Sequence, residues 1–191
     1  MRQIKTITHA IYYLLGKIKK PADKMKIVKL MFLADKYHLL HYGRTITDDD
    51  FVALEHGPVG SMTLNVLNCK PDDFNISKEA CRYISQHIEI IDNIKRSIGS
   101  IPPDFKSLSE SDKIALDFII DNFGKMSTGL LREYTHKYPE WKQYESDFEQ
   151  KQTQHENIDT EEMFSCLDGD PLAVDTDLIE MSKDVFYNLY E

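Results

Sequence analysis

The sequence predicts a mainly α, α+β fold: a helical domain around a central buried helix, with a small antiparallel β-ribbon and a C-terminal helical extension. Three observations carry this. The stretch KMKIVKLMFLADKYHLLHYG is apolar on nearly every side between Ile27 and Ala34, as a helix inside a domain must be. Most other segments repeat apolar residues at spacings of three and four, the stripe of amphipathic helices. Only two short stretches, one beginning at Phe51 and one at Arg82, alternate with period two.

The elements follow in order. Ile4, Ile7, Ile11, Leu14, Leu15 and Ile18 line one face of a first helix, which KKPADK breaks. The central helix runs from about Ala22 to Tyr42, and Gly43 supplies its stop. After ITDDD, residues 51–56 read as a strand that Gly57 and Pro58 end, and Ser61 is placed to cap a short helix burying Leu64 and Leu67. In RYISQHIEII, residues 82–91, Ile84, Ile88 and Ile90 share one parity, so this stretch reads as the second strand, paired with the first. IPPDF is a connecting loop. Ser109 and Asp112 form a capping box before Ile114, Phe118 and Ile119, and Gly124 closes that helix. Ser127 caps the next, through Leu130, Leu131 and Tyr134, and Pro139 stops it or starts another, which carries Trp141, Tyr144 and Phe148.

At about residue 145 the composition turns polar, as in a linker. The reading is a domain over residues 1–144 and an acidic helical extension over 145–191, packed on that domain or following it. Within the extension Asp159 or Thr160 caps a helix over Met163, Phe164 and Leu167, and Leu178, Met181, Val185 and Leu189 stripe the last one.

The 191 residues are 41% apolar and 29% charged, ordinary globular values. No apolar run approaches the ~18 residues of a membrane span, and MRQIKTITHA lacks a signal-peptide core. Cys69, Cys81 and Cys166 are odd in number and form no C-x-x-C pair, a pattern of reduced thiols in a cytoplasmic protein and not of zinc or disulfides. The net charge of −9 is graded: +8 over residues 1–45, −5 over 46–144 and −12 over 145–191. Such asymmetry raises questions of partners, not of fold.

Catalytic and metal chemistry finds little support. Asp35, His38 and His41 recur at i, i+3 and i+6 and converge only in part on a common point. DGDPLAVDTD departs from a calcium loop at its later positions, where Leu172, Ala173 and Ile179 stand. There is no G-x-S-x-G, P-loop or G-x-G-x-x-G. The expectation is therefore a non-enzyme with no metal and no cofactor. Lys17, Lys19, Lys20, Lys24, Lys26 and Lys29 crowd one connection, so a DNA-binding regulator is the alternative reading, and an enzyme assembled from distant residues is a third.

Four segments, KLMFLADKYHLLHYGRTIT, FVALEHGPVGS, SLSESDKIALDFIIDNFGKMS and LLREYTHKYPEWK, occur in this order within about residues 9–142. Together they resemble the Panacea domain, formerly a domain of unknown function, of SocA-like antitoxins and phage-associated proteins. The resemblance implies an antitoxin that neutralises a cognate protein toxin, encoded next door, by direct binding. Nucleic acid is the less favoured partner, no membrane is expected, and a homo-oligomer is compatible. Affinity should rest on a few anchors, with Tyr37, His38, Arg44, His56, His136 and Trp141 as the candidates among the matching and neighbouring positions.

Overall fold

In the computed structural model, which describes residues 1–69 and 76–190, the first two helices set the core. Helix α1 (Arg2–Ile18) buries Ile7, Ile11, Leu14 and Leu15. Two residues of strand β1 (Ala22–Asp23) then lead into α2 (Lys24–Tyr42), capped by the Asp23 carboxylate, which accepts from the Met25 N–H at 2.8 Å. Every residue of α2 from Ile27 to Leu40 is buried, so the all-round apolar stretch does occupy the centre. Gly43 ends it with φ 68°, a left-handed conformation that a Cβ disfavours.

FVALEHGPVG differs from its sequence reading. Gly57 and Pro58 do not end the strand element; they open its partner. Strand β2 (Phe51–Leu54) turns through Glu55 and His56 into β3 (Gly57–Gly60), with Leu54 opposite Gly57 and Ala53 opposite Pro58. Pairs alternate along an antiparallel ladder between bonded and non-bonded, and in a two-residue hairpin the second pair is non-bonded. Pro58 sits in that pair on an edge strand, where its missing N–H costs no ladder bond. Helix α3 (Ser61–Asn68) follows, capped not by Ser61 but by Asp49, whose carboxylate accepts from the Met62 and Thr63 N–H groups, each at 2.8 Å.

The second predicted strand is mostly helix. Ser77 caps α4 (Lys78–His87), which buries Ala80, Cys81, Ile84 and His87 at helical spacing, and only β4 (Ile88–Ile90) is extended. Ile84 and Ile88 satisfy both periods, and the cap upstream decides between them. The expected ribbon therefore does not form: β4 pairs with β5 (Lys95–Ile98), and β5 with β1. Cys69 and Cys81, read as reduced, are joined in a disulfide with Cα atoms 5.9 Å apart, because the fold brings the end of α3 against the first turn of α4.

Helices α5 (Glu110–Phe123) and α6 (Thr128–Thr135) follow the sequence signals, including the Ser109–Asp112 capping box, and α7 (Pro139–Lys142) starts at its proline but ends before Tyr144 and Phe148, which the sequence places on it. Their inner faces are Ala115, Leu116, Ile119, Phe123 and Leu131; Ile114 and Leu130 point outward. Residues 145–158, polar enough to read as a linker, form α8 (Glu145–Glu149) and β6 (His155–Ile158), which pairs with β2 and completes a sheet ordered β3-β2-β6. A 3-10 helix (Thr160–Phe164) buries Met163 and Phe164. The last helix, α9 (Thr176–Tyr190), packs on α2 with Ser182 donating to the Leu40 carbonyl at 2.9 Å. Its expected inner stripe is outside: Met181, Val185 and Leu189 are 65%, 46% and 57% exposed. Among the described residues no helix is long and apolar enough to cross a membrane.

Candidate partner-binding site

The six candidate residues gather at two corners. At the first, where α2 meets the N-terminus of α5, Asp35 fixes the loop: its carboxylate accepts from the Ile46 and Thr47 N–H groups at 2.8 and 2.9 Å and from the Thr47 hydroxyl at 2.7 Å. Burial drives the Asp35 carboxyl up to about 7 against those donors. His38, fully buried, donates from Nδ1 to the Arg44 carbonyl at 2.8 Å, and its Nε2 stands 3.0 Å from Ser111 Oγ and 3.1 Å from Asp112 Oδ1. Arg44 returns to Asp112 at 2.8 Å. Burial pushes the Asp112 carboxyl up, but the His38 hydrogen bond, the Ser109 N–H and the Arg44 guanidinium outweigh it and hold it at about 2. Tyr37 is buried between His41 and Phe118, with ring centroids 3.9 and 4.4 Å away. Of the three candidates here only Arg44 reaches the surface, where it lines an open cleft of about 1350 Å³ together with Arg2, Lys5, His9, Tyr83 and Ser107.

The second corner lies behind the β2–β3 hairpin. His56 is exposed at its tip. Its backbone hydrogen-bonds the ring of His136, which stacks on Trp141 at 3.6 Å. Trp141 is buried and donates from Nε1 to the Leu54 carbonyl at 2.8 Å, so the indole bolts α7 to the hairpin. Burial first, then the nearby Lys29 ammonium, lower His136 to about 4. Among the described residues its Nε2, which is buried, has no hydrogen-bond partner. Lys29 itself is fully buried, donates to the Pro58 carbonyl at 2.8 Å, and is held well below the ordinary lysine range by burial. Gly57, at φ +99°, is the residue that lets these groups meet, since a Cβ there would lie 2.6 Å from Lys29 Nζ and 2.9 Å from the His136 ring.

The structure thus groups Tyr37, His38 and Arg44 at one corner and His56, His136 and Trp141 at the other. Of these, Arg44 and His56 can be touched from outside, while Tyr37, His38 and Trp141 are internal. The cleft residues that the sequence reading passed over, His9, Tyr83 and Ser107, are linked by hydrogen bonds: His9 Nε2 lies 2.6 Å from the Tyr83 hydroxyl and His9 Nδ1 lies 2.6 Å from Ser107 Oγ. They stand on three separate elements, and no local motif links them. Among the described residues no group of three or more His, Cys, Asp or Glu is placed to hold a metal ion.

The basic run is also used internally. Lys29 is buried, Lys26 donates to the Gly124 and Met126 carbonyls at 2.7 Å, Lys24 to Asn68 at 2.7 Å, and Lys17 pairs with Asp117 at 2.9 Å.

Compared with known families, residues 27–142, well over half of the chain, match the model described as antitoxin SocA-like, Panacea domain. Searches of curated proteins and of solved structures give no match.

Proposed function

The chain belongs to the SocA-like antitoxin family that carries the Panacea domain, and from that premise we propose that it neutralises a cognate protein toxin by binding it directly. The observation that carries the reading is the family match itself, which runs from the buried part of α2 through α7 and so includes both corners. The geometry is consistent with recognition. Buried pairs and stacks make a rigid frame, and a rigid frame lowers the ordering cost of association. In this reading Arg44 and His56 contact the toxin, while Tyr37, His38, His136 and Trp141 hold the surface in shape. No step of the proposal uses catalysis, a metal or a cofactor.

DNA binding is the weaker reading. Four of the six clustered lysines already hold protein groups, which leaves Lys19 and Lys20 as the cations of that run for phosphates.

Co-expression with the neighbouring reading frame tests the proposal. The neighbour alone should arrest growth, the pair should grow, and the two proteins should purify together. Arg44→Glu should weaken the complex by about tenfold or more, as a truncated interface anchor does. A harmless neighbour, or rescue without a complex, would remove the reading.

A further inference from the structure

Helix α9 carries two stripes, and folding has buried the less apolar one. Ile179, Ser182 and Phe186 face the body, with the Phe164 and Phe186 ring centroids 5.7 Å apart. Leu178 is half-buried, Met181 is exposed, Val185 is 46% exposed with one side on Gly43, and Leu189 is exposed at the edge of the cleft that Arg2 and Arg44 also line. At about 100° per residue these four fall within an arc of about 80°. An apolar row of this kind on an ordered helix marks an interaction site. The helix is not loosely placed: Ser182 is bonded to Leu40, and Gly43 lies against the Ser182 carbonyl and the Val185 side chain, where a Cβ would collide.

One edge of the row is acidic. Asp177, Glu180 and Asp184 are all exposed and share the adjoining arc. Two copies of this chain meeting antiparallel through α9 would bring these carboxylates toward each other, which disfavours that pairing; a cationic partner gains what such a pair loses.

We propose that the outward face of α9 docks a segment of the toxin with an apolar face bordered by Lys or Arg. The proposal rests on the antitoxin reading for the identity of the partner, but not for the chemistry of the surface. Because α9 lies outside residues 27–142, it would set partner choice on a helix that the family match does not reach.

Two arms separate the claims. In the first, the full chain is titrated into a labelled helical peptide of Leu and Lys at amphipathic spacing, with a Leu/Glu peptide as control. The wild type should bind the Leu/Lys peptide, more weakly as salt rises, and not the Leu/Glu one. The Met181→Ser, Val185→Ser, Leu189→Ser variant, shown by unchanged hydrogen exchange in α9 to keep that helix docked although Val185 also touches Gly43, should lose about a hundredfold in affinity. Asp177→Asn, Glu180→Gln, Asp184→Asn should remove the salt dependence, and Ile94→Ser, Ile98→Ser, on an exposed apolar hairpin elsewhere, should change nothing. Equal binding by wild type and the triple Ser variant, or binding of the Leu/Glu peptide, overturns the proposal. So does a wild-type dimer that the triple Ser variant turns into a monomer, which would make a second copy the occupant. In the second arm the same variants are co-expressed with the neighbouring frame. Full neutralisation by the triple Ser variant would sink the docking proposal and leave the antitoxin reading intact. Peptide binding without any neutralisation by the wild type would do the reverse.

Discussion

Asp35 shows how much one side chain can settle. Its carboxylate holds three donors of the loop after α2, and the Asp35→Ala variant leaves two buried N–H groups and a hydroxyl without partners. Urea unfolding should show a loss of about 3 kcal/mol or more, with the loop at 45–47 losing amide protection first. His136 makes a prediction of opposite chemistry. Its folded pKa is lowered to about 4, so between the ordinary value of about 6.5 and 4 the unfolded chain binds a proton that the native state refuses. This ring should therefore lower stability by up to about 3 kcal/mol as pH drops through that window, reduced to about 2 by solvent screening at a half-buried site. The His136→Gln variant should lack this component in a series of thermal melts. Asp35, at about 7, works in the opposite sense over the same window, so the difference between wild type and variant is what is read; parallel curves for the two would show that the ring is protonated where it stands.

At the scale of elements, the Gly43 contact decides whether α9 stays docked. With φ 68° and α9 directly against it, a Gly43→Ala change meets both backbone strain and a clash. A loss of about 2 kcal/mol is expected, concentrated in α9. Hydrogen exchange should show α9 deprotected while α2 is unchanged. The Lys36–Glu140 pair joins another set of elements. Both side chains are fully buried, 2.7 Å apart, and satisfied by the Met163 carbonyl and Ser165. Lys36→Met strands the carboxylate of Glu140 and should cost about 3–5 kcal/mol, most of it recovered when Glu140→Leu is added. A double variant no better than the single would show that the cost comes from packing and not from the charge.

At the scale of the molecule, residues 145–191 cannot be treated as a detachable tail. β6 completes the hairpin sheet, Ser165 and the Met163 carbonyl satisfy the buried pair, and Asp170 accepts from the Tyr134 and Tyr138 hydroxyls at 2.5 and 2.6 Å. Deleting residues 145–191 should therefore give an aggregating or largely unfolded protein by circular dichroism, because it uncovers Lys36, Glu140 and Tyr138 together. Partner specificity is better read from point changes on the exposed face of α9, which leave those supports in place.

Local chemistry by itself determined much of this protein. The buried character of α2, the Gly43 stop, the Ser109–Asp112 box, the Ser127 cap and the Pro139 start depend on residues within one or two turns of each other, and each is where the sequence places it. The family signature was legible for the same reason, since it lies in those segments. Tertiary structure alone decided the rest. Asp49 rather than Ser61 caps α3, a polar stretch becomes β6 because β2 offers it an edge, and Cys69 finds Cys81 across a change of element. On the same grounds Tyr37, His38 and Trp141 are buried, His136 is half-buried, and Arg44 and His56 reach the surface. The clearest case is α9, whose apolar period is plain in the sequence while its direction is not. A stripe states that a face avoids water; only the body it packs against, here through Leu40, Gly43 and Phe164, fixes which face turns inward.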